Sequence, residues 1–500
     1  MAIRPKRHPV PYQHDLNTKL LRLGKKDYFT LRMAVENVLI SGGVGSGKTS
    51  GSAAAYFEAL LNAGCGGLVL CAKPDEAARV LKALKKAGRQ KDALVVDASG
   101  KERFNFMDYA AATLAADGFE HNLTELLKET ATVSDVASAN SGGGENSFFR
   151  DGALKWFSHA APLLLAAYNN LRLKDVYELV VSAPKNAEEA VSPDWQNRSF
   201  CYRTLITAHQ QAEQGNARAV RAMEEHADFW TEEYAHLADR TRSAIEATLT
   251  NLIYPFLSGK LAELFCTHTT VVPEMARHGK IIILDLPVLT YGPMGATAQS
   301  IFKYLFGLAM QREVVIDKTR LVFLWADECQ FFLSPSDAEL LSTCRSQRIC
   351  CTYITQDTPT FYAMLGHKKR DIADSIIGKF GTRIFHSNTS KQTNEEASQL
   401  IGKTTRFNSS ATTSRGLNSG GSVNQNGWRN GAGAGDGRNQ SQTQSISSYE
   451  DYVFPPEFFA KGLRTGGPKN KKKVEAIVVR SGANFKATGA HWLKAEFRQD

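Results

Sequence analysis

The residues Gly42-Gly43-Val44-Gly45-Ser46-Gly47-Lys48-Thr49 match the pattern G-x-x-x-x-G-K-[ST] in full. The chain has 39 glycines in 500 residues. At ordinary Lys and Ser/Thr frequencies, roughly 0.02 chance matches are expected in this length. The chemistry needs these types. Glycines let backbone N–H groups wrap an anion without Cβ clashes, and a helix N-terminus adds its dipole. Lys48 would reach the β- and γ-phosphates of a nucleotide and the Thr49 hydroxyl would ligate Mg²⁺, with Ser50 continuing the cradle. The bland alternative is a plain Gly-rich turn.

A phosphate loop needs an acidic partner at the end of a neighbouring strand. Leu321–Ala326 is an apolar run that ends in two adjacent carboxylates, Asp327 and Glu328. Asp327 would hold Mg²⁺ through its water shell, and Glu328 would act as general base toward the attacking water. Asp97 and Asp285 also end apolar runs, but each lacks a following Glu and reads better as a strand-end cap. Gln356 follows the run Ile349–Thr355 and is suited to sensing the γ-phosphate or orienting water. Arg345, just before that run, reads as lying on the same rim of the sheet, where it could reach a neighbouring subunit's nucleotide; Arg348 is its rival. Lys73 is either a nucleotide or DNA contact or an exposed turn lysine before Pro74.

These residues need elements to carry them. Val38–Ile40, Gly67–Cys71 and Ala93–Val96 read as buried strands alternating with helices over 52–61 and 74–87, and the pattern resumes at Ile281–Leu284. Strands alternating with helices imply an α/β fold, a mostly parallel P-loop (RecA-like) sheet with helices on both faces. Between them the strand signal disappears. Leu123, Leu126 and Leu127 are helix-spaced, and Ile245, Leu249, Leu252, Ile253 and Phe256 form a stripe. Residues 109–260 are therefore expected to be an inserted all-helical domain, with 138–146 a flexible loop inside it.

The remaining divisions follow from composition. Residues 1–27 form a basic arm in which Leu20, Leu21 and Leu23 suggest a short helix. Residues 28–108 and 261–405 are the two parts of the nucleotide-binding domain. Residues 406–447, rich in Ser, Gly, Asn, Gln and Thr, are expected to be a disordered, mobile loop. Residues 448–500 return to the nucleotide-binding domain, with 474–479 and 491–497 pairing as a hairpin. Thr389 with Gln392 reads as a capping-box start for a helix that carries Ala397, Leu400 and Ile401.

Apolar residues make up 43% of the chain and charged residues 22%, which excludes wholesale disorder. The longest apolar runs fall well short of the ~18–20 residues that cross a bilayer, and the first thirteen residues hold no apolar core of a secretory signal. A cytoplasmic protein, peripheral at the inner membrane through partners, is expected. Eight cysteines without a C-x-x-C pair fit reduced thiols rather than disulfides or zinc. The net charge of +9 favours nucleic acid or acidic membrane. Arg4, Lys6 and Arg7, and Lys469 with Lys471–Lys473, are candidate DNA contacts or simply solvated charge.

In order along the chain, the phosphate loop, Leu68–Lys73, the Asn-centred turn Phe104–Asp108, the helices at 147–164 and 243–256, Gly279–Pro287, Ala326–Gln330, Cys344–Gln356 and Lys379–Gly402 resemble the conjugative (type IV secretion) coupling ATPases of the TraG/TraD-like group, within the FtsK/HerA-like class of translocases. Cys329 replaces the group's usual small residue, and the group's membrane helices have no counterpart here. The resemblance implies a homohexameric ring with DNA threaded through it, ATP and Mg²⁺ at subunit interfaces, and Arg345 supplied in trans. It also implies a relaxase and secretion-channel proteins as partners. Two alternatives stand beside it: a soluble HerA-like ring in DNA-end processing or defence, and a nucleotide-binding scaffold that moves nothing.

Overall fold

The computed structural model describes residues 12–113, 126, 145–366, 370–417 and 438–499. The basic cluster at Arg4–Arg7, Leu123, Leu127, the loop at 138–144 and the segment 418–437 lie outside the described residues. The strands are β1 (Lys19–Arg22), β2 (Tyr28–Thr30), β3 (Val38–Ser41), β4 (Gly66–Leu70), β5 (Ala93–Val96), β6 (Ile281–Leu284), β7 (Val322–Ala326), β8 (Ile349–Thr355), β9 (Thr382–Phe385), β10 (Lys403–Leu417), β11 (Arg438–Tyr452), β12 (Lys473–Arg480) and β13 (Trp492–Arg498). Nine of them make one sheet in the order β13-β12-β9-β3-β8-β7-β4-β6-β5. Strands β3 to β9 run parallel. The β12–β13 hairpin adds to β9 antiparallel.

The central strands β3, β4, β7 and β8 are buried at every position because both faces of the sheet are covered. Successive side chains alternate between two cores. Leu68, Leu70, Val322, Leu324 and Tyr353 enter one, which is continuous with the helix Val288–Arg312 and the helical block. Val69, Phe323, Trp325, Cys350 and Ile354 enter the other, under the helices Ala54–Asn62 and Glu76–Lys86.

Among the described residues between Phe106 and Ala276 every element is helical. The helix Glu145–Tyr168 packs against Phe200–Glu213, Ala217–Asp228 and Asp239–Ile253. Ile245, Leu249, Ile253 and Phe256 of the sequence stripe are buried there, and Trp156 meets Tyr234 with ring centroids 4.8 Å apart. No helix among the described residues is long and apolar enough to cross a membrane.

Three expectations are corrected. Leu20 and Leu21 lie in a strand, β1, both part-buried between exposed Lys19 and Arg22, because the segment satisfies its backbone groups by pairing antiparallel with β2. The cap of the helix Lys391–Ile401 is Ser390, whose hydroxyl accepts from Thr393 N, one residue beyond Thr389. The disordered loop expected over 406–447 is replaced, where described, by a long ribbon in which β10 and β11 pair through fifteen residues each. Its length is about 50 Å at ~3.3 Å per residue. Low apolar content argues against a buried core, but an antiparallel ribbon satisfies its backbone groups by pairing them and needs no core to do so.

Candidate nucleotide site

Strand β3 delivers the phosphate loop. Gly42 N donates to Gln356 O at 3.2 Å and Gly43 N to Ser387 O at 2.9 Å, so the loop is tied to the ends of β8 and β9. Two glycines are required by close approach. A Cβ on Gly42 would lie 2.6 Å from Ser46 Oγ, and one on Gly47 (φ 83°) would lie 2.6 Å from Val474 Cγ2. Val44 stands at the tip, 86% exposed. Beyond Gly47 the chain enters a wide turn at Thr49–Ala53 and then the helix Ala54–Asn62.

Strand β7 delivers the acids. Thr49 Oγ1 donates to Asp327 Oδ2 at 3.1 Å across 278 residues of sequence. Asp327 Oδ1 accepts from Glu328 N at 3.0 Å, and Glu328 adopts a left-handed backbone (φ 51°) that turns its side chain into the same space. Both Glu328 carboxylate oxygens are hydrogen-bonded: Lys73 Nζ pairs with Oε1 at 2.5 Å and Gln330 Nε2 donates to Oε2 at 2.8 Å. Gln330 Oε1 accepts in turn from Thr355 Oγ1 at 3.4 Å, linking the acid to the end of β8.

The electrostatics follow from burial and these pairs. Burial pushes Asp327 up, against the lowering pull of Lys73. Burial also works to raise Glu328, but the hydrogen bonds from Lys73 and Gln330 outweigh it and hold the carboxyl below its ordinary range. Lys48 is buried and its pKa is lowered by that burial, with Glu328 and Asp327 opposing. Glu76, held by Ala72 N at 2.7 Å, is pushed to about 8 by burial and by Asp327. Behind the loop His386 Nε2 hydrogen-bonds with Ser52 Oγ at 2.7 Å, and the imidazole is depressed to about 3, first by burial and then by Lys48.

The structure thus brings Lys48, Thr49, Asp327 and Glu328 together, with Gln356 beside them through its main-chain carbonyl, which also accepts from Asn388 Nδ2 at 2.8 Å. Arg345 is not with them. It precedes β8 and so lies at the opposite rim of the sheet from Gln356, about 23 Å away at ~3.3 Å per residue; the same-rim expectation is corrected. Arg345 is exposed there, while Arg348 is buried and donates to His14 O at 2.8 Å. Asp97 caps Ser99 N at 2.8 Å, and both it and Asp285 end strands at the far edge of the sheet. Sequence reasoning missed Glu76 and Gln330. The amide two residues after Glu328 was a visible signal for the second, and nothing local marked the first.

The donor set fits a magnesium nucleotide. Thr49 Oγ1 and Asp327 Oδ2 are hard oxygen donors at the end of a parallel sheet, and Ser46 Oγ is buried without a hydrogen-bond partner. Fold and site define a P-loop α/β nucleotide-binding protein with a helical block between its two halves.

Within that class the comparisons are specific. Residues 320–451 match the family described as the TraM recognition site of TraD and TraG. Among solved structures, the bacterial conjugative coupling protein TrwBdeltaN70, in a trigonal form with sulphate, aligns over 97% of this chain and 89% of its own at 13% identity and a TM-score of 0.59. The plasmid coupling protein TrwB in complex with ADP and Mg²⁺ aligns over the same shares at 12% identity and 0.57. The TrwB complex with the non-hydrolysable ATP analogue ADPNP gives 12% and 0.56. No curated protein matches the sequence. The fold is that of the conjugative coupling proteins, and the resemblance to the TraG/TraD group read from the sequence is borne out by these matches.

Proposed function

We propose that this chain is the ATP-hydrolysing motor of a conjugative coupling protein, a homohexameric ring that recruits DNA or a DNA–protein substrate and pumps it toward a secretion channel. The observation that carries the reading is the 3.1 Å contact between Thr49 and Asp327, with Glu328 next in the chain and Lys48 within electrostatic reach. Mg²⁺, when bound with ATP, neutralises charge on the phosphate oxygens. The chain's own residues supply the rest. Lys48 and the loop N–H groups hold the phosphates, and Thr49 and Asp327 hold the metal. Glu328, ionised because Lys73 and Gln330 depress its pKa, accepts the proton of the attacking water. Gln356 senses the γ-phosphate. Arg345, exposed on the other rim, is suited to reach a neighbouring subunit's site rather than its own.

The match over 320–451 favours a coupling role over the soluble HerA-like alternative, because the matching family is described as the TraM recognition site of TraD and TraG, the group the sequence resembles. The paired acids weigh against a passive scaffold, which needs no strong base. The testing experiment is ATP hydrolysis with and without DNA at low salt, where phosphate contacts are strongest. The reading expects stimulation by DNA, and abolition of turnover with retained ATP binding in Glu328→Gln. Hydrolysis indifferent to every form of DNA would remove the motor, and capture of a nuclease rather than a relaxase from cell extracts would move it to the HerA-like role.

A further inference from the structure

The strand order fixes which way a bound triphosphate runs. Asp327, Glu328 and Gln356 end β7 and β8, on one side of β3. With the γ-phosphate and metal on that side, the α-phosphate and the nucleoside leave the phosphate loop on the other side, toward β9, β12 and β13. Three features meet there. Val474 of β12 lies against Gly47 and Gly51. Gln499, just after β13, donates through Nε2 to Ser50 Oγ at 2.7 Å, while its Oε1 accepts from Gly467 N at 2.7 Å and its own N donates to Lys472 O at 2.8 Å. The loop from Gly466 to Lys472 takes left-handed backbone at Gly466, Gly467, Lys471 and Lys472 (φ 83°, 78°, 54° and 56°).

Two of those four residues carry a Cβ, so the loop holds a strained conformation that persists only where its surroundings over-determine it. Hydrogen bonds within the loop from Lys471 N and Lys472 N, and Gln499 through both its main-chain N and its side-chain Oε1, supply those surroundings. The Gln499 side chain ties the loop to the start of the phosphate-loop helix. Lys473 is already paired with Glu496 at 2.7 Å, but Lys469, Lys471 and Lys472 are exposed on the loop. Because Ser50 Oγ accepts from Gln499, the Ser50 hydroxyl proton is left to donate outward, toward where an α-phosphate oxygen would lie.

We propose that Gln499 and the loop Gly466–Lys472 form the subsite for the nucleoside end of a bound nucleoside triphosphate, with Gln499 positioning Ser50 and Lys471 and Lys472 reaching the α-phosphate and ribose. The inference rests on the nucleotide-site reading above and adds to it the part of the ligand that distinguishes a nucleotide from a bare polyphosphate.

The test compares Mg²⁺·ATP with Mg²⁺ and inorganic tripolyphosphate by titration calorimetry on the full chain. The proteins are the wild type, Gln499→Ala and the double variant Lys471→Ala/Lys472→Ala, each checked by thermal melting. The expected result is a roughly tenfold loss of ATP affinity in both variants, the scale of one hydrogen bond to a charged group, with a clearly smaller loss for tripolyphosphate, which shares the α-phosphate contacts but has no nucleoside. If ATP affinity is unchanged in both, the subsite is wrong. If ATP and tripolyphosphate weaken equally, the hairpin merely props the phosphate loop and the subsite is again wrong. A wild type that binds both ligands equally well would overturn the subsite while leaving the phosphate site standing; one that binds neither would remove both.

Discussion

Lys73→Met isolates the most specific claim about the resting site. In the structure each oxygen of the base that must receive a proton already accepts one hydrogen bond, Oε1 from Lys73 at 2.5 Å and Oε2 from Gln330. The charge-assisted Lys73 bond stabilises the carboxylate against taking up a proton, so turnover is faster once that contact opens. Hydrogen bonds to charged groups contribute about 1.5–3 kcal/mol. The Lys73 side chain is 36% exposed, so solvent screening brings this pair to about 1–1.5 kcal/mol. That amount, added to the barrier of the resting enzyme, is close to tenfold in rate at about 1.4 kcal/mol per decade. Removing the lysine should raise DNA-free ATP hydrolysis about tenfold at alkaline pH, change the DNA-stimulated rate much less, and so shrink the stimulation ratio. The sign with pH runs the other way. Glu328 is held below its ordinary range by Lys73, so without the lysine its carboxyl protonates at higher pH and the acid limb of the rate profile moves upward. Steady-state hydrolysis across pH, with and without DNA, reads both effects. Basal and stimulated rates falling in the same proportion would refute the reasoning and make Lys73 a direct phosphate contact.

Four further outcomes follow from the geometry. Thr49→Val should weaken ATP binding roughly tenfold when Mg²⁺ is present and change it little in EDTA, because only the metal contact is lost; titration under both conditions decides. Asp337→Ala leaves Lys303, which is 1% exposed and bonded to both Asp337 oxygens, as an uncompensated buried charge. The cost in urea unfolding should be about 3–5 kcal/mol, and a loss below about 1 kcal/mol would show the pair is dispensable. Arg345→Ala should reduce assembled turnover by about a thousandfold without altering ATP affinity, and mixing it with Glu328→Gln subunits should restore some activity if the arginine acts in trans. Glu76, raised to about 8 against an ordinary 4.5, is favoured in its neutral form by the fold. Its ionisation costs stability progressively from that ordinary range up to about pH 8, so in EDTA Glu76→Gln should match the wild type near pH 4 and exceed it near pH 9. Equal stability at both pH values would contradict the burial argument.

What could be read from the sequence was local. The phosphate loop is eight contiguous residues, and Asp327–Glu328 ends a run whose apolar positions are all buried in β7. Their meeting was inferred only from chemistry, and Lys73–Glu328 was not foreseen because 255 residues separate the pair. The Arg345 placement went astray for a geometric reason. Residues before and after a parallel strand occupy opposite edges of the sheet, so Arg345 and Gln356 cannot share a rim. The β10–β11 ribbon was missed because composition speaks about burial and not about strand pairing, which Thr, Ser and Asn side chains permit without a core. The contact of Gln499 with Ser50 spans 449 residues and has no local signature at all.

The central claim is that residues from the two halves of the chain close on one magnesium triphosphate. The most direct measurement is an experimental structure with Mg²⁺, a non-hydrolysable ATP analogue and DNA. The account predicts the metal on Thr49 with Asp327 in its water shell, and Glu328 released from Lys73 and hydrogen-bonded to a water in line with the γ-phosphate. A nucleotide bound with its metal away from Thr49, or Glu328 still locked to Lys73 in every DNA-engaged subunit, would contradict it.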